Sequence, residues 1–145
     1  MHRIALLSLL LSLLLAISAC AKKSEPTTPT GGGAPAAGPA ISETMADAPT
    51  HNVPATLEIK PPCNATGYFK LNMPAGTAFS IDAKVSAGSA MVDVTDANGK
   101  SAGVSAEITM DAAKTVASTG QEGATFVTVS ETGACVGNTL TLDVK

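Results

Sequence analysis

Side chains able to do chemistry are sparse in this chain of 145 residues, which holds three cysteines, two histidines and no tryptophan. The histidines are His2 and His51, and the stretch 54–145 contains neither. A Ser-His-Asp or Cys-His arrangement therefore cannot be assembled within that stretch. It also lacks a Gly-x-Ser-x-Gly elbow, a phosphate-cradling glycine loop and a His-Glu-x-x-His helix. His51, set among Pro, Thr and Ala, reads as a solvated linker residue. Carboxylates are more numerous: Asp82, Asp93, Asp96, Glu107, Asp111, Glu122, Glu131 and Asp143. Most fall in turns or on the polar positions of alternating patterns, where solubility accounts for them. A glycosidase working by carboxylates alone needs two at a set separation, and the shortage of aromatic side chains speaks against one. Asp93, Asp96 and Asn98 are the candidates for part of a calcium site. Calcium takes about six to eight oxygens, however, and Asp96-Ala97-Asn98-Gly99 is explained as a turn without any ion. The expectation is a protein that is not an enzyme and carries no metal or cofactor.

What the cysteines do depends on where the chain resides. His2 and Arg3 give a basic start, and residues 4–17 are apolar apart from Ser8 and Ser12. Small residues follow. That order is the pattern of a secretory signal peptide over residues 1–19. As a helix the apolar run would span roughly 21 Å, short of the ~30 Å hydrocarbon core, so it does not suit a permanent span. Directly after it, Ile17-Ser18-Ala19-Cys20 resembles the lipobox of bacterial lipoproteins. The resemblance implies that Cys20 takes a diacylglycerol and that the signal is cut before it, the new amino group often being acylated in that class. Two or more acyl chains anchor a protein stably to a membrane. Ala21 follows Cys20, where an aspartate tends to retain members of that class at the inner membrane. The implied location is the cell envelope, with the outer membrane favoured.

Export leaves Cys63 and Cys135. Two remaining cysteines in an oxidising compartment are expected to form one disulfide, closing a long loop and stabilising the fold by roughly 4 kcal/mol.

The elements that would position these residues begin after a biased stretch. Residues 20–53 are rich in Pro, Gly, Ala, Ser and Thr, with Ile41, Met45 and Val53 as their few large apolar side chains. The expectation is a flexible linker that packs on nothing, spanning roughly 30 Å as a random coil. Residues 54–145 form the candidate domain. Leu57 and Ile59, then Phe69, Leu71 and Met73, then Phe79, Ile81, Ala83 and Val85 each alternate with polar neighbours. Val92 and Val94 lead into Asp96-Ala97-Asn98-Gly99, a hairpin signal. Val104, Ala106, Ile108 and Met110 alternate next, followed by Val127 and Val129, and by Leu140, Leu142 and Val144. Only residues 111–116 hint at a helical turn. Period-two alternation in short runs between Gly-rich turns predicts an all-β fold. The expected architecture is a small antiparallel β-sandwich, jelly-roll-like, of about seven or eight strands.

Tyr68-Phe69-Lys70-Leu71-Asn72-Met73-Pro74-Ala75-Gly76-Thr77 resembles the opening strand and turn of bacterial pre-peptidase C-terminal domains. Asp93-Val94-Thr95-Asp96-Ala97-Asn98-Gly99 is similar to that family's later strand and Asp/Asn-Gly turn. Gly123-Ala124-Thr125-Phe126-Val127-Thr128-Val129 and residues 138–144 resemble two further strands. The resemblance implies a jelly-roll-like sandwich that accompanies secreted enzymes and does no chemistry itself. Ser89-Ala90-Met91-Val92 stands where the family has an aspartate-rich strand, so the calcium site of that family is not carried over.

Residues 54–145 hold six lysines, no arginine and nine acidic residues. With no aromatic row either, nucleic-acid binding is not expected. The expected partners are a membrane, through the lipid, and another envelope protein or a polymer. The function anticipated is that of an envelope lipoprotein presenting a non-catalytic sandwich for protein contact or envelope structure. The alternative is an accessory ligand-binding module acting beside a secreted enzyme.

Overall fold

The computed structural model describes residues 40–145; the segment read as a signal peptide, Cys20 and residues 21–39 of the expected linker lie outside them. Nine strands follow one another: β1 (Thr50–Asn52), β2 (Ala55–Ile59), β3 (Gly67–Asn72), β4 (Ala78–Val85), β5 (Ser89–Thr95), β6 (Ser101–Thr109), β7 (Lys114–Thr119), β8 (Thr125–Thr132) and β9 (Leu140–Val144). They form a five-stranded sheet of order β1-β3-β8-β5-β6 and a four-stranded sheet of order β2-β9-β4-β7.

The order has a simple origin. β2 pairs antiparallel with β9, β3 with β8, β4 with β7 and β5 with β6. The chain from β2 to β9 is thus one long hairpin closed at β5–β6, and successive rungs alternate between the two sheets. That is a jelly roll. Its core is the set of inward positions that the alternation marked out, among them Ile59, Phe69, Leu71, Ile81, Val92 and Leu142, each at most 2 % exposed. The β5–β6 turn closes with Gly99 N donating to Asp96 O at 3.0 Å, and Gly99 takes the left-handed backbone (φ 77°) that glycine tolerates.

Five differences from the sequence expectation have physical causes. The strands number nine because β1 and β7 join the seven runs that alternate visibly. β7 replaces the helical hint at 111–116: Val116 is buried in a strand opposite Ile81. Met110, expected to face inward, is 62 % exposed, because β6 ends at Thr109 and the chain turns there. The sandwich is not wholly antiparallel, since β1 runs parallel to β3, with His51 opposite Leu71.

The fifth difference moves the domain boundary. Residues 40–53 were expected to be linker, yet they are built into the sandwich. Ser42 and Tyr68 exchange backbone hydrogen bonds at 2.9 and 2.7 Å, and Lys70 N donates to Pro49 O at 2.8 Å. Ile41 and Val53 pack against the core. His51 is half-buried rather than solvated. Its Nε2 donates to the Ala40 carbonyl at 3.0 Å, and its ring meets Phe69 edge-on at 5.7 Å. The cause is the open flank of β3, whose unpaired backbone groups need partners that the later strands do not supply.

Candidate functional site

A groove of about 490 Å³ lies on the outer face of the four-stranded sheet. Alternation creates this face: positions between the core residues of β9, β4 and β7 point away from the other sheet. Antiparallel register then sets the side chains in rows. Lys84 stands opposite Thr141, and Asp82 stands between Asp143 on one side and Thr115 on the other. Lys145 continues the row of β9, while Ala113 and Lys114 line the groove from the edge strand, Lys114 springing from the core-facing side of β7 opposite Ala83.

Two carboxylates directly opposite each other repel, and Lys145 resolves the conflict. Its Nζ lies 2.6 Å from Asp82 Oδ2 and 3.4 Å from Asp143 Oδ2. Thr115 donates its hydroxyl to Asp82 Oδ1, and Thr56 donates to Asp143 Oδ1 at 3.2 Å. The Lys145 hydrogen bond, aided by the one from Thr115, holds the Asp82 carboxyl below the usual range, and the same pairing raises Lys145 above its ordinary value. Lys84 and Lys114 form no ion pair with any described residue. Three of the six lysines of residues 40–145 therefore meet in one groove of a stretch that has eleven acidic residues. The arrangement offers cations, hydroxyls and shielded carboxylates; it offers no nucleophile paired with a base.

Sequence reading assigned Asp82 and Asp143 to the solvated face, where they do lie, but gave no role to Lys84, Lys114 or Lys145. Their meeting depends on β9 lying between β2 and β4, and β4 between β9 and β7, a long-range arrangement that no local pattern announces.

The cysteines are brought together at one end of the sandwich. Loops 60–66, 86–88, 110–113 and 133–139 each pass from one sheet to the other and gather at this end. Cys63 and Cys135 are joined there by a disulfide with Cα atoms 5.5 Å apart. Cys135 and Asn64 both take left-handed backbone, with φ of 52° and 56°. Glu131, 6 % exposed, lies beside the bridge and accepts Gly137 N at 3.0 Å. Met110 and Val136, the exposed large apolar side chains of the described residues, sit at this same end. Cys20 lies outside the described residues.

Asp93, Asp96 and Asn98 lie at the β5–β6 hairpin, at the opposite end, where protein groups engage both aspartates. Asp96 Oδ1 accepts the backbone N–H groups of Asn98 at 2.8 Å and Lys100 at 2.9 Å. Those bonds, Lys100 first, lower its pKa. Asp93 Oδ1 accepts the Ser101 hydroxyl at 2.8 Å. Among the described residues, no three His, Cys, Asp or Glu side chains are grouped to hold a metal ion. Also among them, no helix is long and apolar enough to cross a membrane.

No protein-family model matches the chain, and no curated protein matches it. The segments that resemble the pre-peptidase C-terminal domain fall on β3, the end of β5 with its turn, β8 and β9. Any jelly roll supplies strands at such places.

Proposed function

We propose that this chain is an envelope lipoprotein, lipidated at Cys20 and anchored to a bacterial membrane, that presents a non-catalytic jelly roll for protein contact or envelope structure. The observation that carries the reading is Ile17-Ser18-Ala19-Cys20 placed directly after an apolar run with a basic start. The Cys63–Cys135 disulfide agrees with export, since such bonds persist in oxidising compartments. The domain's chemistry agrees with a passive role: His51 is engaged by Ala40 and Phe69 and has no nucleophile in its hydrogen bonding. Ala21 favours the outer membrane over the inner.

The test is fractionation of cells expressing wild type and Cys20→Ser. Wild type should sediment with membranes and, after separation by density, with the outer one; its mature N-terminus should carry acyl chains by mass spectrometry. Cys20→Ser should leave the membrane fraction or keep its signal. An unmodified Cys20 thiol on mature wild-type protein would sink the proposal.

A second reading, an accessory module that holds a ligand beside a secreted enzyme, is favoured by one observation. The groove over β9, β4 and β7 collects three lysines on an otherwise acidic domain.

A further inference from the structure

We propose that β6 pairs with β6 of a second copy of this chain, joining the two five-stranded sheets edge to edge. The inference names a partner for the protein-contact reading and rests on that part of it, not on lipid at Cys20. It starts from how the four sheet edges are closed. Exposed edges are blunted by brevity, proline, lysine or inward-pointing charge. β1 has three residues, and β2 is flanked by Pro54, Pro61 and Pro62. β7 opens with Lys114 on its core-facing side, opposite Ala83. β6, by contrast, has nine residues, neither proline nor lysine, and Glu107 as its one charge. Its bulge, where residues 102–104 face Val94, guards one end; from Ser105 to Thr109 its ladder with β5 is regular. Its other flank pairs with no described strand.

The sequence along this edge selects a second copy as the occupant. Val104-Ser105-Ala106-Glu107-Ile108 reads alike in both directions by class: branched apolar, polar, alanine, polar, branched apolar. A two-fold axis normal to the sheet at Ala106 pairs the strands antiparallel and keeps each side chain on its own face. On the inner face Val104 then stands opposite Ile108 of the second copy, and the half-buried Val104 and Ala106 gain cover. On the outer face Ser105 stands opposite Glu107 of the second copy, its hydroxyl a donor for that carboxylate. Neighbouring registers are worse. An axis at Glu107 sets two carboxylates directly against each other, which repels, and one at Ser105 draws the bulge further into the ladder.

The test is sedimentation equilibrium of the full mature protein in density-matched non-ionic detergent, with substitutions at the exposed Ser105 position. Wild type should associate reversibly to a dimer and no further, because a two-fold contact closes on itself. Ser105→Glu sets like charges against each other in both symmetric pairs and should raise the dissociation constant about tenfold. Ser105→Lys creates two opposite-charge pairs and should lower it about threefold. Ser105→Glu/Glu107→Lys reverses the pairing and should return the constant to within about threefold of wild type. Far-UV circular dichroism should be the same for all four proteins. A dimer indifferent to these charges, or shifted alike by glutamate and lysine, would overturn the proposal. A monomeric wild type would also overturn it, without touching the lipid anchor, which fractionation of Cys20→Ser judges separately.

Discussion

Asp82 and Asp143 show how far one residue's chemistry depends on its cross-strand neighbour. Register places them side by side, and Lys145 makes the pair tolerable. The linked titrations have opposite signs. Asp82 has a lowered pKa, so its contribution is present above the ordinary carboxylate value and is lost as pH falls through the lowered one. Lys145 has a raised pKa, so its contribution is present below the ordinary lysine value and is lost as pH rises through the raised one. Stability from this pair is therefore on a plateau between about pH 4 and pH 10. Both side chains are well exposed, which keeps the effect small. In Lys145→Met the Asp82 carboxyl should titrate closer to its ordinary range, and chemical-shift titration of that carboxyl is the measurement. An unmoved titration would mean that Thr115, not Lys145, governs it. Nothing in the local sequence around Asp82 announces this arrangement, because its partner lies 63 residues away.

Strands differed in legibility according to how many core sites each one fills. β4 places Phe79, Ile81, Ala83 and Val85 inward, and its period of two is unmistakable. β7 fills the core with Val116 and little else, so its sequence carries almost no pattern. β1 has three residues, and its inward side chain is a histidine. Its strand state comes from pairing with β3, which is tertiary and absent from local composition. The expectation that the linker packs on nothing fails over residues 40–53 for the same reason. A chain beginning at Pro54 loses Ile41 and Val53 from the core margin, and His51 from Phe69. It also leaves the backbone of Tyr68 and Lys70 without partners. Fully burying one Val or Ile side chain contributes about 1.5–3 kcal/mol; with these only partly buried, the shortened chain should lose at least about 2 kcal/mol. Urea denaturation of chains beginning at Ala21 and at Pro54 measures the difference. Equal midpoints and slopes would show that β1 is an ornament on the sandwich and not a part of it.

For the whole molecule the disulfide is the longest-range feature that sequence reasoning reached, because the export expected from residues 1–20, with two leftover cysteines, leaves few alternatives. The topology explains why that pairing suits the fold. In a jelly roll the β2–β3 and β8–β9 connections are made at the same end, so Cys63 and Cys135 meet although 72 residues separate them. Closing a loop of that length removes unfolded-state entropy equivalent to about 4 kcal/mol. The bridge acts on a domain whose core rests largely on Val, Leu, Ile and Ala, with Phe69 and Phe79 as its aromatics. Two opposing local effects reduce the gain. Cys135 and Asn64 are held in left-handed backbone, which costs a non-glycine residue about 1–2 kcal/mol, and asparagine tolerates it better than cysteine. Reduction should therefore destabilise the protein by about 2–4 kcal/mol. Cys63→Ser/Cys135→Ser should melt lower by a similar free energy, with the 133–139 loop losing hydrogen-exchange protection first. Adding Cys135→Gly in place of serine separates the two contributions. Glycine accepts φ near 52° without strain, so Cys63→Ser/Cys135→Gly should recover about 1 kcal/mol relative to the double serine variant. Identical stability of those two variants would mean that the loop relaxes once the bridge is gone and that the left-handed turn is imposed by the disulfide alone.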